Sequence, residues 1–193
     1  MMVMMWPFVP MFLIEVHFAT GFWRRLGFWT FFAVFLEWLP IAFVVYALRE
    51  MVLAYEVALG LLFVVLGVAL VAAGVAFHVW TAKLLGLKAT IGYPELKPSS
   101  YEENQRIITS GPFSVVRHPS YWAHTMIIVG VFLITGVIAV GIIAIVDFLI
   151  AYFVTTTLEE RELVERFGEE YKEYQKKVPK FFPNVRSLTK PRS

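Results

Sequence analysis

Apolar residues run along this chain in long uncharged blocks separated by short polar breaks. Blocks of about 20 apolar residues match the thickness of a bilayer core, so the pattern predicts membrane-crossing helices. The first block, Val3 to Phe22, is interrupted by Pro7, Pro10, Glu15 and His17 and closed by Arg24-Arg25. The second, Phe28 to Leu48, contains Glu37 and Pro40. The third, Val57 to Trp80, carries Gly60, Gly67 and Gly74 at a constant spacing, a stripe that lets a neighbouring helix backbone come close. From Thr81 to Val116 the chain is too polar to span and long enough to be a functional loop. Two more apolar arms follow, Tyr121–Thr135 and Val137–Thr157, joined around Gly136–Gly141. The first arm is short against the usual ~20 residues, which predicts a tight hairpin. Leu158–Lys177 then reads as a charged amphipathic helix. Leu163, Val164, Phe167, Tyr171 and Tyr174 fall on one face, acids gather at its start and lysines at its end.

These elements predict an all-α, polytopic membrane protein with about five transmembrane helices, the last two a hairpin, and a C-terminal amphipathic helix. One domain over 1–193 is expected, with three spans in 1–80 and the polar, site-bearing part in 81–193. Composition agrees: 59% of residues are apolar, against about 45–50% in soluble domains, and the mean hydropathy is +0.68. A net charge of +2 without a basic stripe gives no footprint for nucleic acid. The absence of cysteine removes disulfides, thiolate nucleophiles and cysteine-based metal sites. The amino terminus lacks a basic n-region and reads as a retained span, not a cleaved signal. Arginine and lysine crowd the Arg24-Arg25 side, the long loop and the tail, which predicts that all three face the cytoplasm.

Candidate chemistry gathers in Gln105–His124, where Arg117, His118, Ser120, Tyr121 and His124 stand at a helix mouth opened by Pro119. A second polar cluster, Glu159-Glu160-Arg161-Glu162, comes one hairpin later and so returns to the same membrane face. Taken separately, the first reads as snorkelling at a helix entrance and the second as a solvated first turn. Taken together they form a candidate site for a charged cofactor. His118 and His124 are wrongly spaced for two ligands on one helical face, so no metal is expected. Glu15, His17, Glu37, His78 and Asp147 lie in or near the spans, where ionisable groups default to functional candidates. Asp147 is expected to pair with His17 or His78 or to make a plain interhelical hydrogen bond, and Glu15 and Glu37 to line an entrance from the lipid.

Two segments carry a resemblance to a known family: IITSGPFSVVRHPSYWAH (Ile107–His124) and EERELVERFGEEYKEYQKKVPKFFP (Glu159–Pro183). In order and spacing they are similar to the membrane-embedded methyltransferases that include isoprenylcysteine carboxyl methyltransferase and the phospholipid N-methyltransferases. The resemblance implies an S-adenosylmethionine-dependent enzyme. It places Gln105, Arg106, Ile107, Ile108 and Phe113 along the cofactor pocket, with His118, Pro119, Ser120 and Tyr121 closing it. Glu159 would bind the cofactor from the C-terminal helix with Glu160 beside it, and the catalytic expectation falls on Arg117, His118, Tyr121 and Glu159. The acceptor implied is lipophilic and enters from the bilayer: a prenylcysteine-like carboxylate or a lipid amine. The family's substrate-pairing arginine is represented by Thr155, which leaves Arg117 and Arg161 as replacements for that cation.

The chemistry stands beside the resemblance. Carboxylates suit a sulfonium and an ammonium, and Phe113, Tyr121 and Trp122 suit an adenine. An amine acceptor would need a proton acceptor, for which His118 or His124 serves. Two rivals are an NADPH-dependent sterol- or steroid-type reductase and a non-enzymatic membrane partner. The reductases show Asp-Glu and a cysteine-containing stretch where this chain has Glu159-Glu160.

Overall fold

The computed structural model describes residues 2–86, 90 and 106–183. Gln105 and most of the long polar loop lie outside the described residues. Within them every regular element is helical, apart from a single antiparallel bridge between Glu56 and Val137.

The amino-terminal apolar block is not one straight rod. A first turn α1 (Met2–Met5) leads into α2 (Phe8–Phe18), and α3 (Thr20–Leu26) leaves at 103°. The bend falls at Ala19, where Thr20 Oγ1 donates to the His17 carbonyl at 3.2 Å and so takes up an acceptor freed at the break. Helix α4 (Trp29–Ala47) follows, packed on α2 and α3 through Phe12, Val16, Trp23 and Val34. A short turn α5 (Arg49–Val52) leads to α6 (Leu61–Leu85), which runs past the expected end at Trp80 because Thr81, Ala82, Leu84 and Leu85 carry the apolar helix on.

Helix α6 packs along α7 (Pro119–Thr135) almost backbone to backbone. A Cβ on Gly67 would stand 2.7 Å from the Gly130 carbonyl, and one on Gly74 would stand 2.9 Å from the Ala123 carbonyl. Two of the three stripe glycines thus serve the close approach, with Gly130 as an unforeseen third member. Gly60 sits at the α6 cap with nothing near it. The left-handed Gly136 (φ 66°) ends α7 and α8 (Ile138–Ile150) starts two residues later. The Gly136 carbonyl accepts from Val57 N at 2.9 Å and Ile138 N donates to Tyr55 O at 2.9 Å, pinning the hairpin tip to the entry of α6.

The last apolar helix does not end at Thr157. It passes through a π-helical turn, Ala151–Thr155, into α9 (Thr156–Phe167), making one helix over Ile138–Phe167. Gly168, at φ 57°, stops it, and α10 (Glu169–Lys177) starts afresh. The expected single amphipathic helix is therefore two, because only glycine takes that left-handed conformation without strain. Among the described residues three helices are long and apolar enough to cross a bilayer: Trp29–Ala47, Leu61–Leu85 and Ile138–Phe167. Counting the bent amino-terminal pair as one span makes four, and α7 is apolar but shorter than a span. The five expected crossings are therefore three or four by length. The exposed faces of α4 and α6 are covered by Phe32, Phe35, Phe43, Leu61, Leu62, Val65 and Val68, a surface suited to lipid rather than water. The protein is an integral membrane protein.

The α6–α7 contact yields the first prediction. Gly74→Leu and Gly130→Leu should each cost about 1–3 kcal/mol through overpacking, read as a lowered thermal midpoint in detergent. Gly60→Leu should leave it unchanged, and equal effects at all three positions would refute the contact.

Candidate functional site

Pro119 opens α7 as its first residue and is fully buried, so the helix mouth needs no donor there. His118, just outside, does not cap the helix with its ring; its backbone N–H donates to Lys180 O at 3.3 Å and its side chain turns to the acidic pair. His118 Nε2 lies 2.9 Å from Glu160 Oε1, and Nδ1 lies 3.5 Å from Glu159 Oε2. The two polar clusters separated by a hairpin in sequence therefore meet.

The π-helical turn bears directly on this meeting. One extra residue in a helix rotates everything after it by about 100°. Thr156 Oγ1 donates to the carbonyls of Ala151 (2.7 Å) and Tyr152 (3.2 Å), occupying acceptors that the wider turn leaves short of partners. Three residues later Glu159 and Glu160 face the mouth of α7.

The two carboxylates are used differently. Glu160 receives Arg117 Nε at 2.8 Å, His118 at 2.9 Å and Gln175 Nε2 at 3.1 Å. Arg117 also donates from Nη1 to the carbonyls of Gln175 (3.1 Å) and Val178 (2.6 Å). Glu159 accepts from the Tyr121 hydroxyl at 3.1 Å. Its side chain is 29% exposed, against 14% for Glu160. Glu160 is thus locked into the frame, and Glu159 is the more exposed of the two carboxylates.

Burial alone would lower the pKa of His118, but the Glu159 and Glu160 carboxylates outweigh it and hold the value above that of free imidazole. The phenols of Tyr171 and Tyr174 are pushed upward, first by burial and with the nearby Glu160 carboxylate adding to it. They stay neutral donors, and Tyr174 donates to the Phe113 carbonyl at 2.6 Å.

Residues 178–182 form a strap across the α7 mouth. Arg117 N donates to Pro179 O at 2.9 Å, and Trp122 Nε1 donates to Phe181 O at 2.7 Å. Phe181, at 1% exposure, stacks on His118 at 6.0 Å and meets Trp122, Phe148 and Tyr152. Lys180 Nζ reaches the Tyr152 carbonyl (2.9 Å) and Thr157 Oγ1 (3.0 Å).

The remaining expected residues are spread more widely. Phe113 is buried and Ile107 packs under Tyr171 and Tyr174. Ile108 and Ser120 are half-buried, and Arg106 is exposed. Of the two cations expected to replace the arginine missing at Thr155, Arg117 is committed to Glu160 and Arg161 is exposed. Lys180, from the tail, is the cation that comes to this level, and no motif pointed to it. Asp147 does not pair with His17 or His78. It accepts from Trp6 Nε1 at 2.7 Å and stands 3.5 Å from His124 Nε2, while His17 and Arg24 meet Glu162 at 2.8 and 3.1 Å. The reason is reach: Glu162, on the polar helix beyond Glu159, comes to the bent amino-terminal helices and takes His17 first. Among the described residues no cluster of three or more histidine and acidic side chains could hold a metal ion.

A model of the phospholipid methyltransferase family matches residues 62–170, from α6 to the first turn of α10. A cobalt-zinc-cadmium resistance protein of Cupriavidus metallidurans is 34% identical over 86 residues, which is 45% of this chain and 39% of that protein. The methanethiol S-methyltransferase of Pseudomonas deceptionensis is 37% identical over 75 residues, 38% of this chain and 27% of the enzyme. A nickel-cobalt-cadmium resistance protein of Alcaligenes xylosoxydans xylosoxydans is 30% identical over 86 residues, 45% of this chain and 40% of that protein. The matches thus span about two fifths or less of these relatives' length. No solved structure matches the chain significantly.

Two outcomes follow for the Glu160 frame. Glu160→Ala strands Arg117 and His118 among buried partners and should cost about 3–5 kcal/mol of stability in detergent. Because the folded pKa of His118 is raised, its stabilisation is complete below about pH 6.5 and is lost as pH rises through the folded value. Thermal midpoints measured from pH 6 upward should fall accordingly, and His118→Gln should abolish that decline; an identical slope in the variant would rule the linkage out.

Proposed function

Since the chain belongs to the phospholipid methyltransferase family, we propose that it is an integral membrane methyltransferase using S-adenosylmethionine to methylate a lipophilic acceptor that arrives from the bilayer. The observation that carries this reading is the unequal use of the acidic pair, with Glu160 locked by three donors and Glu159 left the more open. The donor set fits the group. An open carboxylate beside a tyrosine hydroxyl and aromatic rings suits a ligand with an ammonium, a sulfonium and a purine.

Bound S-adenosylmethionine supplies a methyl carbon activated by its sulfonium. The chain's part is placement. Glu159 holds the cationic end of the ligand, and Tyr121 orients that carboxylate through its hydroxyl. Glu160, fixed by Arg117 and Gln175, sets the position of His118 and, through it, of Glu159. Phe181, Trp122 and Phe148 keep water from the mouth of α7, which strengthens each charge-assisted contact there. Arg117 acts from behind the site as a positioning residue. In-line methyl transfer depends chiefly on such alignment. The arginines at the α3 end and the basic tail support a site on the cytoplasmic face.

Calorimetry on detergent-purified protein tests the reading. S-adenosylmethionine and S-adenosylhomocysteine should bind and NADPH should not. A charge-assisted contact is worth about 1.5–3 kcal/mol, so Glu159→Gln should weaken S-adenosylmethionine by about ten- to a hundredfold. Binding of NADPH alone, or binding that ignores Glu159→Gln, would sink it.

A further inference from the structure

A second polar group lies deeper among the helices, apart from the Glu159–Glu160 frame. His78 lies one turn beyond Gly74 on α6, and His124 follows Ala123 on α7, whose carbonyl a Cβ on Gly74 would meet at 2.9 Å. Asp147 of α8 stands 3.5 Å from His124 Nε2 and takes the Trp6 indole N–H at 2.7 Å. Three helices and the turn that carries Trp6 thus converge on it. His124 is six residues into the chain from His118, which along a helix is about 9 Å deeper. Among the described residues His78 Nδ1 is buried without a hydrogen-bond partner, and the buried His124 Nε2 has only Asp147 beside it, at 3.5 Å. At bilayer depth an unsatisfied polar group costs several kcal/mol, so polar side chains there are typically kept for a ligand or a relay. The His124 side chain is 32% exposed, so one edge of the ring remains reachable.

We propose that His78, His124 and Asp147 form the acceptor centre, which receives the head of a lipophilic nucleophile that still carries its proton, such as a thiol or amine. The proposal rests on the methyltransferase reading for its chemistry, though not for its geometry. Asp147, beside Nε2, keeps the imidazole proton on that nitrogen and leaves Nδ1 as the acceptor. His78 faces the same space and supplies the second contact to the head. As the nucleophile's electron pair forms its new bond to the methyl carbon, the old bond's pair stays on sulfur and the nucleophile's proton passes to His124 Nδ1. The resulting imidazolium is stabilised by Asp147. His124 is a catalytic residue in this scheme; Asp147 acts through it and is a positioning residue. A carboxylate head has no proton to give and would be repelled by Asp147.

Histidine-selective nitrogen NMR on the full chain in micelles tests the centre without the cofactor. 1-Dodecanethiol is the proton-bearing probe and dodecanoate the anionic one. The thiol should move the His78 and His124 nitrogens, dodecanoate should not, and Asp147→Asn should remove the response while His118 stays where it was. Methyl transfer to dodecanethiol should then fall by about a hundredfold in kcat in His124→Gln, with little change in KM. Asp147→Asn should displace the pH profile, a readout that a merely structural aspartate would not move. His78→Gln, which keeps a polar side chain, guards against loss of fold in the other variants, and it should raise KM. Equal shifts from both probes, or silence from both histidines, would overturn the proposal. Loss of S-adenosylmethionine binding in the wild type would instead overturn the methyltransferase reading and leave the NMR result to decide the centre.

Discussion

The Glu160 carboxylate is where three separate pieces of this chain are held in register. Arg117 and His118 come from the entry to α7, Glu160 from the far end of the last apolar helix, and Gln175 from the tail helix. Each partner is largely removed from water, so none can be deleted without stranding a charge. Such a frame gains little net stability, because desolvation offsets much of the Coulombic attraction. What it confers is position, and with it the direction in which Glu159 points. Adjacent carboxylates on one helix are thus put to different uses by facing different partners.

Two physical regimes meet at that point. Below it, α6 and α7 are joined by glycine contacts that bring backbones together where no hydrophobic driving force between helices is available. Above it, α9, α10 and the strap are held as a soluble protein would be, with Tyr171, Tyr174 and Val178 over Ile107, Leu163 and Phe167. The π-helical turn sits at the boundary. It reconciles the phase that the membrane packing of α8 requires with the phase that the polar face of α9 requires.

Much of this was legible in the chain because its signals are local. Uninterrupted apolar length marked the spans, Pro119 marked the start of α7, and the return of Glu159-Glu160 after a hairpin put the pair on the side of His118. The errors arose where geometry depends on partners far away in sequence. Nothing around Ala19 announces a right-angled bend, and no residue type marks Ala151–Thr155 as a wider turn. The strap works through backbone carbonyls of residues 178–181, which carry no side-chain signature. Lys180 carries no sequence mark that separates it from the other tail lysines, yet its ammonium lies against Tyr152 and Thr157. Of the two expectations for Asp147, the plain hydrogen bond across the bundle is what forms, with Trp6 as donor, while His17 is taken by Glu162 on the far side of the bent amino-terminal helices.

The strap also bears on how the molecule is made. Its carbonyls are the acceptors for Arg117 and Trp122, and its Phe181 ring is one wall beside His118. These residues follow every described apolar helix in the order of synthesis. Helices α2 to α8 can therefore enter the bilayer and pack by their glycines and apolar faces while the acidic pair still lacks its frame. The mouth of α7 is therefore closed only once residues 178–182 have folded back over Pro119.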